Sequence, residues 1–147
     1  MVTANDQRAQ IRMSEFKAAL YQHEIRDIRT ITVPVPSTLM LGRNGLAQLL
    51  DDGFRDGVLF CSSDNLAHGA LIEATSRHLS IPGDVAIMGF GDQNFAAHTY
   101  PALSTVKIDR AEIGRQAAMA LLESIDGKLE LENIIDFGFR AIERATT

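Results

Sequence analysis

A chain of 147 residues, 46% of them hydrophobic, holds enough apolar material for one core of ordinary size. Its 14 Lys plus Arg against 19 Asp plus Glu leave a net charge of -5, which offers no basic face to a phosphate backbone and argues against a DNA-binding module. The single cysteine, Cys61, excludes an internal disulfide and a multi-cysteine zinc site.

In chain order, Ala9, Met13, Phe16 and Leu20 recur at helical spacing and predict a helix over Asp6 to Gln22, with Asn5 and Asp6 as capping residues. Thr30 to Val33 is a short β-branched strand that Pro34 and Pro36 end. Asn44 to Leu50 reads as a short helix closed by Asp51-Asp52-Gly53. Gly57 to Cys61 is a continuous apolar run, expected as a strand buried on both faces. Ser62-Ser63-Asp64 then offers caps to a helix carrying Ala67, Ala70, Leu71 and Ala74 and ending near His78. Ile81 to Asp84 is a turn, Val85 to Phe90 a second buried strand, and Gly91 to Leu103 an irregular loop. Ser104 to Lys107 is a strand. Asp109 opens a helix with Ile113, Ala117, Leu121 and Ile125 aligned, and Gly127 stops it. Ile134 to Ala141 is expected to supply one or two final strands.

Strands separated by helices of this length predict parallel βαβ units, hence an α/β fold. Ligands of such sheets bind beyond the carboxyl ends of the strands. Thr3 to Asp6, Ser62 to Asp64 and Gly91 to Asn94 leave such ends. No apolar run approaches the roughly 18 residues of a membrane span. Met1-Val2-Thr3-Ala4 has neither the basic nor the apolar stretch of a secretion signal. The expectation is a soluble cytoplasmic protein.

Catalysis finds little support. Ser62, Ser63 and Cys61 sit at a strand end without a G-x-S-x-G elbow. His23, His68, His78 and His98 are scattered without metal-ligand spacing, and no phosphate-cradling loop is present; Gly89-Phe90-Gly91-Asp92 carries G-x-G alone. No enzyme, metal or cofactor is expected. Binding has more to draw on. Ser63 and Asp64 place a hydroxyl, a carboxylate and free N–H groups at a helix start, which suits a polyhydroxylated or anionic ligand; each equally serves as a plain cap. Arg8 and Arg12, four apart on one helix, either face a cleft or form a solvated face. Asp92 and Gln93 either bond ligand hydroxyls or satisfy their own loop.

Four spaced segments resemble one family. Val58 to Ala70 is similar to the block of LacI-type transcription repressors in which a strand ends in Asn-Asp and a small-residue helix follows. Ile81-Pro82-Gly83-Asp84-Val85-Ala86-Ile87-Met88-Gly89-Phe90 resembles the family's V-P-x-D-V-x-V-x-G-F/Y segment. Pro101-Ala102-Leu103-Ser104-Thr105-Val106 resembles P-x-L-T-T-V, followed by Glu112-Ile113-Gly114. Phe139 to Thr146, with Arg144-Ala145-Thr146, resembles the terminal R-x-S-T strand. Arg8 to Phe16 resembles R-x-x-x-R-x-x-G-F, with Glu15 in place of the glycine. Gly89 to His98 looks most like gluconate-utilisation repressors.

The resemblance implies a two-lobed, periplasmic-binding-protein-like fold with an effector between the lobes. It implies that this chain holds mainly the carboxyl lobe, about 1–103 and 126–147, while about 104–125 normally completes the amino-terminal lobe; no helix-turn-helix is present. In relatives the arginine matching Arg12 contacts the effector, as does the asparagine whose place Ser63 takes. The first aspartate of G-F-D-D is here Gly91, and Asp92 matches the second. One carboxylate fewer beside Arg12 favours an acidic sugar such as gluconate. The expected effector contacts are Arg12, Arg8, Ser63, Asp64, Asp92 and Gln93. The expected partners are that effector and a second copy of the chain, met through the helix beginning near Asn65 and the loop near Thr99. DNA is expected to be met only through a headpiece outside this sequence. A sugar-binding protein of a transport system shares the fold and is the alternative. A small hydrolase using Ser62 or Ser63 is a third reading that lacks a positioned base.

Overall fold

The computed structural model describes residues 1–127 and 134–147. It opens with β1 (Val2–Ala4), buried throughout. The Asp6 carboxylate then accepts from the Ala9 N–H at 3.0 Å and starts α1 (Gln7–Gln22). After β2 (Ile31–Val33), α2 (Leu39–Asp51) leads to β3 (Gly57–Phe60), and α3 (Asp64–Ser76) to β4 (Val85–Phe90). A 3-10 turn at Ala96–His98 interrupts the predicted loop. β5 (Ser104–Lys107), α4 (Arg110–Ile125) and β6 (Arg140–Ile142) follow.

β1 pairs with β2, and β3, β4, β5 and β6 pair in that order. A parallel bridge between Val2 and Cys61, with the Ser62 N–H donating to the Val2 carbonyl at 3.0 Å, joins the two groups. The strands therefore run across the molecule as β2-β1-β3-β4-β5-β6, parallel except for β6. The α/β reading of the sequence holds. Val2, Leu46, Leu49, Leu59, Leu66, Ile87 and Leu103 form the centre of the core.

Two expectations change, and a third is narrowed. The second helix starts at Leu39, not Asn44, because Thr38 is extended and its hydroxyl accepts from the Leu41 N–H at 3.2 Å. Gly42 and Gly45 weaken the helical signal in sequence, yet both are contact points. A Cβ on Gly42 would fall on the Leu66 carbonyl oxygen, and one on Gly45 would lie 2.8 Å from the Val2 side chain. β3 is not buried on both faces, since Gly57 is open and Val58 is 69% exposed. Its first residues have a neighbour in β4 only, and β1 meets the strand just at its end. Finally, Ile134 to Ala141 gives a single strand: residues 134–139 are irregular, and pairing with β5 begins at Arg140.

α4 has the predicted caps, with Asp109 accepting from the Glu112 N–H at 3.0 Å. It buries none of its residues: Leu121 and Ile125 are 64% and 73% exposed. The aligned face of Ile113, Ala117, Leu121 and Ile125 is thus formed but uncovered. β5, in contrast, stands inside the sheet between β4 and β6.

Candidate functional site

From β1 the chain crosses to β2 on one side and returns to β3 on the other. The strand order thus reverses between β1 and β3, and the carboxyl ends of those two strands diverge into a crevice where α/β sheets bind ligands. Arg12 of α1 lies across this point. Its Nη2 donates to the Ser62 carbonyl at 3.2 Å, and its guanidinium carbon sits 4.2 Å from the centroid of the Phe90 ring at the end of β4. Its Nε is buried without a hydrogen-bond partner among the described residues. Burial pulls the Arg12 pKa below the ordinary guanidinium value, Asp6 opposing and Arg8 adding to the shift. The group remains cationic at neutral pH. A partly desolvated cation with a free N–H on an aromatic platform can pair with an anion.

The other predicted residues divide into two groups. Ser63 caps α3, its hydroxyl accepting from the Leu66 N–H at 3.4 Å, a long bond that leaves the hydroxyl proton available. Gln93 is half-buried beside Gly91, and its side-chain amide makes no hydrogen bond among the described residues. Arg8 is exposed, one helical turn from Arg12. These three, with Arg12, keep polar atoms free for a ligand.

Asp64 and Asp92 are instead engaged by the protein. Asp64 is fully buried; Oδ1 accepts from the Thr105 hydroxyl at 2.6 Å and Oδ2 from the Gln93 N–H at 2.6 Å. Gly89 makes this possible, because any side chain there would strike the Asp64 carboxylate. Asp92, at φ 47, accepts from Arg144 Nη2 at 2.7 Å and pairs with Lys107 Nζ at 3.1 Å. The Arg144 hydrogen bond, and after it that from Lys107, hold the Asp92 carboxyl below its usual range despite the opposing effect of burial. Asp64 therefore fastens the loop after β4 to β5, and Asp92 fastens it to the C-terminal segment. That segment is itself latched, with Thr146 Oγ1 donating to the Ile87 carbonyl at 2.6 Å and accepting from the Ser104 N–H at 2.8 Å.

Phe90, Thr105, Lys107 and Arg144 were not among the predicted site residues. Only their place in or just beyond strands signals them in sequence, and their partners are distant along the chain: Arg144 meets Asp92 across 52 residues, and Phe90 meets Arg12 from a different part of the chain altogether. The hydrolase reading gains nothing. Ser62 is buried and its Oγ accepts from the Ala4 N–H at 3.0 Å, while burial, with the nearby Asp64 charge adding, pushes the Cys61 thiol up to about 12. His68 packs on Phe95 with ring centroids 5.2 Å apart. A cavity of about 540 Å³ opens elsewhere, at the amino-terminal end of β3, lined by Met1, Phe16, Leu20, Ile25, Phe54 and Val58. Asp27, Arg29, Arg55 and Asp56 also line it, but none of the predicted residues does, so the crevice at the strand ends remains the candidate.

A family model described as periplasmic binding protein-like domain matches residues 1–147. The chain belongs to this family. It does so in the form carried by LacI-type regulators, which are not enzymes. The HTH-type transcriptional regulator GntR of Pseudomonas aeruginosa is 39% identical over 144 residues, 97% of this chain and 42% of that protein. The HTH-type transcriptional regulator IdnR of Escherichia coli is 30% identical over 141 residues, 92% of this chain and 41% of that protein. Among solved structures, transcription regulator GntR from Chromobacterium violaceum superposes with a TM-score of 0.91 at 34% identity, over 99% of this chain and 55% of that one. This chain spans less than half the length of those two curated relatives.

Proposed function

We propose that the chain is the effector-binding and dimerising portion of a cytoplasmic LacI-family transcription regulator, and that its effector is a sugar acid of the gluconate type. The observation that carries the ligand class is Arg12, a cation on the Phe90 ring whose buried Nε has no hydrogen-bond partner, and whose guanidinium forms no ion pair, among the described residues. Gly91, where relatives of this type carry an aspartate, adds no negative charge to that crevice. Arg12 receives the ligand carboxylate, while Ser63 and Gln93, with Arg8 at the rim, meet its hydroxyls. Asp64 and Asp92 hold the loop that presents them. The opposing lobe, to which α4 with its uncovered face belongs, completes the site; DNA is met only through a headpiece outside this sequence.

Calorimetric titration of a full-length relative carrying this site, with gluconate and with glucose, tests the reading. Gluconate is expected to bind about tenfold more tightly, as a hydrogen bond to a charged group contributes roughly 1.5–3 kcal/mol against about 1 kcal/mol for a neutral one. Equal or tighter binding of glucose sinks the sugar-acid assignment.

Dimerisation through α3 and the loop after β4 is supported by the placement of Tyr100, 98% exposed, at a shallow cleft with His68, Leu71, Ile72 and Thr75. An aromatic ring presented beside an apolar helix face is a typical anchor of an interface. Sedimentation velocity at micromolar concentration is expected to show a dimer that Tyr100→Glu dissociates, and a clean monomer for the unmodified chain refutes it. The alternative of a transport-system binding protein shares the fold; no observation here favours it.

A further inference from the structure

Ser62 stands where β1 meets β3, and its hydrogen bonds depart from a regular parallel ladder in one place. Its N–H donates to the Val2 carbonyl at 3.0 Å, beside the parallel bridge between Val2 and Cys61. In an evenly spaced parallel ladder the next bond runs the other way, from the Ala4 N–H to the Ser62 carbonyl. Here the Ala4 N–H donates to Ser62 Oγ instead, at 3.0 Å. The Ser62 carbonyl, released from the sheet, accepts from Arg12 Nη2 at 3.2 Å. The side-chain hydroxyl thus replaces the main-chain acceptor in the sheet, and the main-chain acceptor turns to the arginine.

Both ends of this exchange are constrained. Ala4 and Ser62 are buried, at 1% and 2% exposure, so the Ala4 N–H has no water to turn to and requires an acceptor within the protein. Arg12 in turn has two fixed points among the described residues, the Ser62 carbonyl and the Phe90 ring 4.2 Å from its guanidinium carbon. An aromatic face attracts the cation but does not fix how it is turned over the ring, whereas a hydrogen bond to a carbonyl is directional. The orientation of the guanidinium, and with it the direction of the unpartnered Nε, therefore depends on one carbonyl. That carbonyl is available because one hydroxyl has taken its place in the ladder.

We propose that Ser62 is a positioning residue of the effector site: by accepting the Ala4 N–H, its hydroxyl leaves the Ser62 carbonyl to orient Arg12 toward the effector carboxylate. Ser62 acts through Arg12 and touches no ligand itself. Without the hydroxyl, the Ala4 N–H draws the carbonyl back into the ladder and Arg12 loses its directional contact. The proposal rests on the reading of Arg12 as the receptor of a sugar acid.

The test is a double-mutant cycle of Ser62→Ala and Arg12→Ala, made at the matching positions of a full-length relative that carries this serine and this arginine. Calorimetry reads gluconate and glucose, and thermal melting verifies that each variant is folded. Ser62→Ala is expected to weaken gluconate roughly threefold to tenfold, to leave glucose unchanged, and to add nothing to the loss caused by Arg12→Ala. A serine that merely stiffened the sheet would weaken both ligands alike and would do so with or without Arg12. No loss of gluconate affinity, an equal loss for glucose, or an undiminished loss in the Arg12→Ala background overturns the role given to Ser62. The ligand-free chain supplies an independent readout, the Arg12 Nε–H resonance, assigned by its absence from Arg12→Ala. It is expected to shift and broaden in Ser62→Ala, and an unchanged resonance also overturns the role. If the unmodified protein shows no preference for gluconate over glucose, the sugar-acid reading itself fails, and the Nε–H resonance still decides whether Ser62 orients Arg12.

Discussion

Gly69→Ala is expected to lower the free energy of unfolding by roughly 2–3 kcal/mol, the cost of forcing atoms into a packed contact. α2 and α3 cross where Gly69 faces the start of α2. A Cβ at Gly69 would land on the Leu39 carbonyl oxygen, with the Leu39 carbonyl carbon at 2.9 Å and the Arg43 nitrogen at 3.0 Å. These are backbone atoms, so no rotamer change relieves the clash and the helices must part. Gly42 makes the reciprocal contact on Leu66, which restricts any sliding to a better register. The intrinsic helix preference of alanine, about 1 kcal/mol over glycine, offsets only part of this. Gly114→Ala is the control, since a Cβ there meets nothing within 4 Å. Urea denaturation of the three proteins decides the matter: a Gly69→Ala midpoint equal to that of the unmodified chain would show that the crossing is looser than described.

Asp64→Ala is expected to cost roughly 3 kcal/mol, because two hydrogen bonds to a buried carboxylate are lost and their donors stay buried. The Thr105 hydroxyl and the Gln93 N–H, each 2.6 Å from a carboxylate oxygen, would both lose their acceptor. Asp64→Asn keeps the shape and one acceptor but turns an amide N–H toward one of those donors, so an intermediate loss is expected. The same substitutions release the loop after β4, and Gln93 amide hydrogen exchange should rise with them. Unchanged exchange at Gln93 in a destabilised Asp64→Ala would separate the stability role from the loop-holding role and remove the latter.

How much of this was legible in the sequence depends on the range of the interactions. Local periodicity placed α1, α3 and α4 and the strands β4 and β5, because helix spacing and apolar runs are decided within a few residues. The glycine-bearing start of α2 was not legible: Gly42 and Gly45 count against a helix locally, and only the approach of α3 and β1 explains them. The resemblance of four ordered segments pointed to the family, and the family model over residues 1–147 agrees. Arg12 could be singled out only through its matching motif.

The sequence by itself determined the α/β class, the absence of a multi-cysteine site and the strand ends at which polar residues collect, since each follows from composition or short spacing. The tertiary structure decided the rest. Asp64 and Asp92 look alike in sequence as short acidic residues after strands. Only the fold shows that Thr105, 41 residues from Asp64, and Arg144, 52 residues from Asp92, occupy their oxygens. Charge is written in the sequence, but whether a charge is free or already paired depends on contacts between distant segments, and those exist only once the sheet has ordered its strands.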